Sequence, residues 1–361
     1  MASTAFERPG RVTLEELLDK IRHGSPVVGV DGRHWNLRGL DLSGAILDKV
    51  NLGGADLSGA NLEDSMLTHC ILSGSDLSQA NLASTKFFRC DLQSARMIGA
   101  MLEGAGFVES NLVETVLTQA NLTQVFFGSC QLQRAQLQTS HLERTGFAQS
   151  QLDGASFAGA AMSFATFHRL DLSRIDLRSA RGESVVFAEC DLSRQSFAGL
   201  EFCRCQFTDS RLEHADFSGA RLVQSNFKGA FLHGASFAGA DARQTLFIEA
   251  GLHDADCRNG RFDQSLWVDA RLARTNFGGA HLPLSVFHRA CCTEADFRGA
   301  ELQDADFSYA DLTQANLVDA RFLRTRFHRA TQQGALFSSR GGIMENEPEL
   351  YKAQAWSGPR P

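Results

Sequence analysis

From residue 37 to residue 337 the chain keeps a single period of five. Of the 61 positions ending in 2 or 7 in this stretch, 53 hold Leu or Phe. The exceptions are Met97, Met162, Gly182, Ala242, Cys257, Trp267, Cys292 and Gln332. The phase never slips, so no loop is inserted without a compensating deletion. Two residues before each large apolar residue stands a small one, as at Ala55, Ala60, Ala215, Ala220, Ala295, Ala300 and Ala305. Ser, Thr and Cys fill most of the remaining small places. Between small and large there is often Asp or Asn: Asp56, Asn61, Asp76, Asn81, Asp216, Asp306, Asp311. The other two places are polar, small or Gly.

Neither ordinary period explains this pattern, because a helix repeats its apolar face at 3.6 residues and a strand at 2.0. Two inward residues in every five require the backbone to turn a corner at each unit. Four corners close a square coil of about twenty residues, and stacked coils pair through parallel backbone hydrogen bonds at about 4.8 Å. Leu and Phe fill the axis. The small residue lies where a large side chain would not fit. Length agrees: 361 residues exceed what one compact core usually holds, but a solenoid adds length without thickening. Phe obeys the coil as well. Of the 22 Phe at central positions, 19 end in 7, and Phe202, Phe262 and Phe322 differ by multiples of twenty. Phe therefore belongs mainly to two opposite walls and Leu to the other two, a combination that fills a narrow core without voids.

Ala55-Asp56-Leu57-Ser58-Gly59 and Ala60-Asn61-Leu62-Glu63-Asp64 carry a resemblance to the pentapeptide-repeat family. The resemblance covers residues 35–337. It implies an all-β fold, a right-handed quadrilateral parallel β-helix of about 15 coils, making a rod about 70 Å long at the strand spacing. Residues 1–34 are expected as an N-terminal cap with a helix over 13–23. There Thr13 and Glu16 form a capping box, Leu14, Leu17, Leu18 and Ile21 make an apolar stripe, and Gly24 and Pro26 end it. Such a cap hides the first coil edge from strand pairing. Leu170, Ile175, Val185, Gln195 and Leu200 are large for the tight position. The coils over 165–205 are therefore expected to be widened or irregular, unless the column tolerates the bulk. Residues 338–361 lose the period and form a C-terminal tail. A short helix over 346–356, with Leu350, Tyr351 and Trp356, would cover the last coil, dock a partner or hang free.

Composition bounds function. There are 35 Lys+Arg against 42 Asp+Glu, net charge −7, which argues against direct nucleic-acid binding. No apolar run approaches the ~18 residues of a membrane span. MASTAFERPG lacks the apolar stretch of a signal peptide, so a cytoplasmic location is expected, or secretion without a classical signal. Of nine cysteines, Cys70, Cys90, Cys130, Cys190 and Cys205 take the small inward place, and Cys257 and Cys292 the central one. None has metal spacing, and buried thiols act as small apolar residues, which fits a reducing compartment. Glu213, His233 and His253 recur at twenty-residue spacing and could meet on one face, but no loop encloses them. No nucleophile elbow, Walker loop, zinc-protease helix or dinucleotide fingerprint occurs. No enzyme, cofactor, metal or small-molecule site is expected.

The residue just before each central one faces outward and should be polar. In one column it often is not: Ile46, Met66, Phe126, Val186, Leu246, Leu266 and Val286. Two places further on lie Phe88, Val108, Ile248 and Val268. Another column is acidic, with Asp56, Asp76, Asp176, Asp216, Asp256 and Asp296. Contiguous exposed apolar surface marks an interface. The expected function is a non-enzymatic binding or scaffold protein whose apolar wall takes a protein partner or a second copy. The family resemblance implies two alternatives. One is a DNA-mimicking modulator of a type II topoisomerase, suited by the acidic column. The other is an accessory or effector-linked protein of a bacterial secretion system.

Overall fold

The computed structural model describes residues 12–346 and 348–356. The parts of the expected end segments before Val12 and beyond Trp356 lie outside the described residues. The chain is a right-handed quadrilateral parallel β-solenoid of about 16 turns. Each outward residue pairs with the one twenty further on. Asp56 bridges Asp76, and the Leu57 amide donates to the Asp76 carbonyl at 2.7 Å. Leu57 and Leu77 are fully buried, as the twenty-residue coil requires.

The corner explains the five-residue unit. At Leu57–Ala60 the Ala60 amide donates to the Leu57 carbonyl at 3.0 Å, and Gly59 before it has φ +65°. This is a type II arrangement, with a left-handed residue in third place. The same site recurs at positions ending in 4 or 9, and many occupants are not glycine: Gln79 has φ +58° and Arg89 +53°. Such a residue costs about 1 kcal/mol, and the stacked coils hold it there. At the small position, hydroxyls do a second job. Thr85 Oγ1 donates to the Leu62 carbonyl at 2.7 Å and Thr245 Oγ1 to the Leu222 carbonyl at 3.1 Å, so these buried polar atoms are paired.

The chain divides into two units. The first runs up to Thr166 together with Arg174–Ser179. It opens with α1 (Leu14–Arg22), whose Thr13 and Glu16 exchange capping hydrogen bonds and which buries Leu17 and Ile21. Three-residue strands Ile46–Asp48, Met66–Thr68, Lys86–Phe88, Gly106–Val108, Phe126–Gly128 and Gly146–Ala148 then pair in sequence order, each in the same register. Behind them Phe87, Phe107, Phe127 and Phe147 stack face to face at 4.6–5.1 Å.

The second unit is Phe167–Ser173 with the chain from Ala180 onward. Its core is an aromatic lattice. Rings stack along each wall, as in Phe207–Phe227 at 4.7 Å and Phe217–Phe237 at 4.9 Å. Rings of opposite walls meet edge to face, as in Phe227–Phe237 at 5.6 Å and 85°. Both geometries suit the ring quadrupole. Trp267 sits in one stack and donates from Nε1 to Ser265 Oγ at 2.6 Å.

The boundary between units falls in the stretch that carries the large inward residues. Leu170, Ile175, Val185 and Gln195 are nevertheless buried, and Leu200 is half-buried. Gln195 Nε2 donates to the Leu172 carbonyl at 2.8 Å, the bond that Thr makes elsewhere, so its length substitutes for a hydroxyl. Gly182 leaves no void. A Cβ built there would collide with the Phe202 ring, which fills the space from the next coil. After the last coil, Ile343–Met344 pairs with Thr325–Arg326, and α2 (Pro348–Trp356) follows.

Candidate partner-binding site

In the second unit the structure brings three of the apolar candidates into direct register. Leu246 bridges Leu266, and Leu266 bridges Val286. Their amides are committed to the neighbouring coil, each donating at 3.0 Å to the carbonyls of Ser225, Thr245 and Ser265. Only the side chains are on offer, and they are half-buried, as are Ile248 and Val268 two places on. Behind them Phe247, Trp267 and Phe287 are fully buried, so the wall is stiffened from inside. One side of the patch is charged: Glu249 stands there, and Asp269 binds Arg289 through two hydrogen bonds of 2.6 and 2.7 Å. An apolar centre with a polar rim is how protein interfaces are built. Val186 does not join this patch. Gln206 and Asn226 lie between, and the Asn226 amide donates to Gln206 at 3.0 Å.

The candidates of the first unit are more broken. Ile46 and Met66 are neighbours, 43% and 52% exposed. Lys86 follows them and sends its Nζ to the Gly104 carbonyl at 2.7 Å. Phe126, 46% exposed, lies over Gly128 and Gly146, where a Cβ would meet its ring. Phe88 and Val108 are adjacent and half-buried, but the Arg89 guanidinium covers the Phe88 ring at 4.8 Å and His69 meets it edge on. Long neighbours thus shield part of this block, and the continuous patch is in the second unit.

The acidic column is less free than its sequence suggests. Asp176, Asp256 and Asp296 are each gripped by an arginine two residues on, at 2.6–2.9 Å from Arg178, Arg258 and Arg298. The Arg178 hydrogen bond holds the Asp176 carboxyl down at about 2. These pairs cancel charge on the same face. The histidine ladder does not converge either. His233 Nδ1 lies 3.0 Å from the His253 carbonyl, while Glu213 turns to Ser193 and Arg211. Among the described residues no group of three or more His, Cys, Asp or Glu is placed to hold a metal ion. No helix among them is long and apolar enough to cross a membrane.

Eight of nine cysteines are buried, and Cys291 is half-exposed. Burial pushes the Cys130 and Cys190 thiols up to about 11 and Cys205 up to about 12. Thiolates are the nucleophiles, so these groups are inert. Native protein should therefore give about one fast-reacting thiol with a chromogenic disulfide reagent, assigned to Cys291, and all nine after urea. Loss of that fast equivalent in Cys291→Ser checks the assignment.

One feature had no signal in the repeat itself. α2 turns back onto the face of the coil that carries the patch, two and three places after the column of Leu246, Leu266 and Val286. Gln354 Nε2 donates to Tyr309 Oη at 2.9 Å and its Oε1 lies 3.0 Å from His328 Nε2, while Arg329 stacks on Tyr351 at 5.1 Å.

Two family descriptions match the chain. "Pentapeptide repeat region" matches residues 87–157 and 180–256, and "Pentapeptide repeats (8 copies)" matches residues 36–74, 140–178, 268–304 and 305–338. No curated protein matches. Among solved structures, the chain is similar to HetL from the cyanobacterium Nostoc sp. strain PCC 7120, a protein involved in heterocyst differentiation regulation. The identity is 19%, with 91% of this chain and 98% of that one covered and a TM-score of 0.16. It is also similar to full-length QnrB1, a plasmid-mediated fluoroquinolone resistance protein, at 15% identity over 74% of this chain and 100% of that one, TM-score 0.16. A third is Rfr23 from the cyanobacterium Cyanothece 51142, at 15% identity over 40% of this chain and 90% of that one, TM-score 0.16.

Proposed function

The chain belongs to the pentapeptide repeat family, and from that premise we propose that it is a non-enzymatic scaffold whose second unit docks a protein partner on the Leu246–Leu266–Val286 wall. The observation that carries this reading is the patch itself: three apolar side chains in consecutive coils, half open to solvent, over a rigid aromatic core and beside a charged rim. A second fact points to the shape of the partner. The same face of the coil already seats one helix, α2, on His328 and Tyr309. A partner's amphipathic helix, with apolar residues at successive turns, has the form to lie along Leu246, Leu266 and Val286 in the same way.

The topoisomerase reading is the weaker one. A DNA-like surface needs unpaired negative charge at regular spacing, and four of the six carboxylates named for it are paired with arginine.

The Leu246→Asp/Leu266→Asp variant tests the proposal. Both side chains point away from the core, so the melting temperature should move by less than about 3 °C. Mass by light scattering reads a second copy as partner, and capture followed by mass spectrometry reads another protein. The variant should lose whichever association the parent shows, while Ser236→Asp on the opposite wall keeps it. Equal mass and equal capture for parent and variant would remove the wall from the account.

A further inference from the structure

At the C-terminal end of the second unit, α2 and the last coils enclose a cleft of about 380 Å³. Its floor is Asp306, Ser308, Arg326 and His328, and its roof includes Met344 and Leu350. The size lies in the lower range of small-molecule sites. Three polar groups bear on it: a ring nitrogen without a partner, and an arginine and an aspartate that make no ion pair, Asp306 accepting at Oδ1 from the Ser308 amide at 2.8 Å.

His328 is 6% exposed, and its Nδ1 is buried without a hydrogen-bond partner. Its other nitrogen faces the Gln354 carbonyl oxygen, which only accepts, so Nε2 carries the proton. Nδ1 is then a bare acceptor in want of a donor. Leaving such an atom unpaired is costly.

Arg326 and Asp306 are the second and third. They bridge each other in register across adjacent coils, yet make no ion pair. Elsewhere on the unit the same relation does produce one: Asp191–Arg211 at 3.2 Å, Glu201–Arg221 at 2.5 Å and Glu301–Arg321 at 3.1 Å. Nearby Asp304 is already taken by Arg324 at 2.6 Å. Asp241 and Arg261 also stand in register unpaired, but Arg243 and Asp263 engage them, whereas Arg326 and Asp306 face one cavity without closing on each other.

We propose that this cleft binds a free α-amino acid. Arg326 receives the carboxylate through its planar fork of donors. The ammonium group donates to Asp306, and Met344 and Leu350 contact the side chain. This goes against the sequence expectation of no small-molecule site, because the cleft exists only once α2 folds back. It is independent of the docking wall.

Isothermal titration calorimetry on the full chain with each of the twenty L-amino acids tests it. At least one should bind with Kd at or below about 1 mM. Its decarboxylated amine and its deaminated acid should each bind at least about tenfold more weakly, since each lacks one of the two charges. Arg326→Ala and Asp306→Asn should each lose about tenfold or more in affinity with an unchanged melting profile. Leu246→Asp/Leu266→Asp should bind the amino acid like the parent, which separates this site from the wall. The proposal is overturned if no amino acid binds at about 10 mM. Equal binding of the amine or the acid alone, or affinity that survives both Arg326→Ala and Asp306→Asn, overturns it too.

Discussion

Removing the single residue Gly229 is expected to unfold the second unit from that point on, whereas removing all twenty residues 207–226 is expected to leave a folded, shorter solenoid. The smaller deletion does the greater harm because inside and outside are set by phase alone. After a one-residue slip, each following Leu or Phe leaves the axis and a polar neighbour enters it. Every central side chain so displaced forfeits about 1.5–3 kcal/mol, and the whole stability of a domain is only about 5–15 kcal/mol. The twenty-residue deletion joins Gln206 to Phe227 and puts Phe227 where Phe207 stood, over Phe187, which Phe207 stacks on at 5.1 Å. One coil is lost and every column survives, as nearest-neighbour stability allows. Circular dichroism and urea unfolding of the two variants make the comparison. If both fold or both collapse, the coil is not the unit of stability.

The second large effect is at Gly182. Gly182→Leu should destabilise the chain by about 3 kcal/mol, because the Phe202 ring occupies the room that a side chain there would need. Adding Phe202→Leu should restore the parent's unfolding free energy in urea to within about 1 kcal/mol, since two leucines share the column that Gly and Phe share now. A double variant no better than the single one would show that the two coils do not trade volume. Ala242 and Phe262 stand in the same relation twenty residues apart and invite the same exchange.

That compensation was legible in the sequence, since Phe202, one of the three Phe outside the Phe walls, stands twenty residues after Gly182. So were the coil, the walls and the small-residue column, because each rests on spacing that a polymer of identical turns must obey. What spacing does not carry is the direction of long side chains. Asp176, Asp256 and Asp296 look like free charge until Arg178, Arg258 and Arg298 are seen folding back onto them, although an arginine two places after each aspartate was there to be read. Phe88 and Phe126 look like open apolar surface until Arg89 and two glycines are placed around them. The C-terminal cleft was out of reach. Tyr309 and His328 hold ordinary outward places in the repeat. Only the return of α2, whose apolar residues are few and whose Trp356 is 93% exposed, turns them into the floor of a site.

The left-handed corner residue has a consequence for what can be written on such a surface. Because Arg, Gln, Asp, Ser and Gly all serve there, the corner constrains the backbone and leaves the side chain open. Within each unit the outer residues form a pegboard with a hole every coil, about 4.8 Å apart, in fixed rows. New chemistry can be pegged in one hole at a time, at known distance from its neighbours, without repacking anything within.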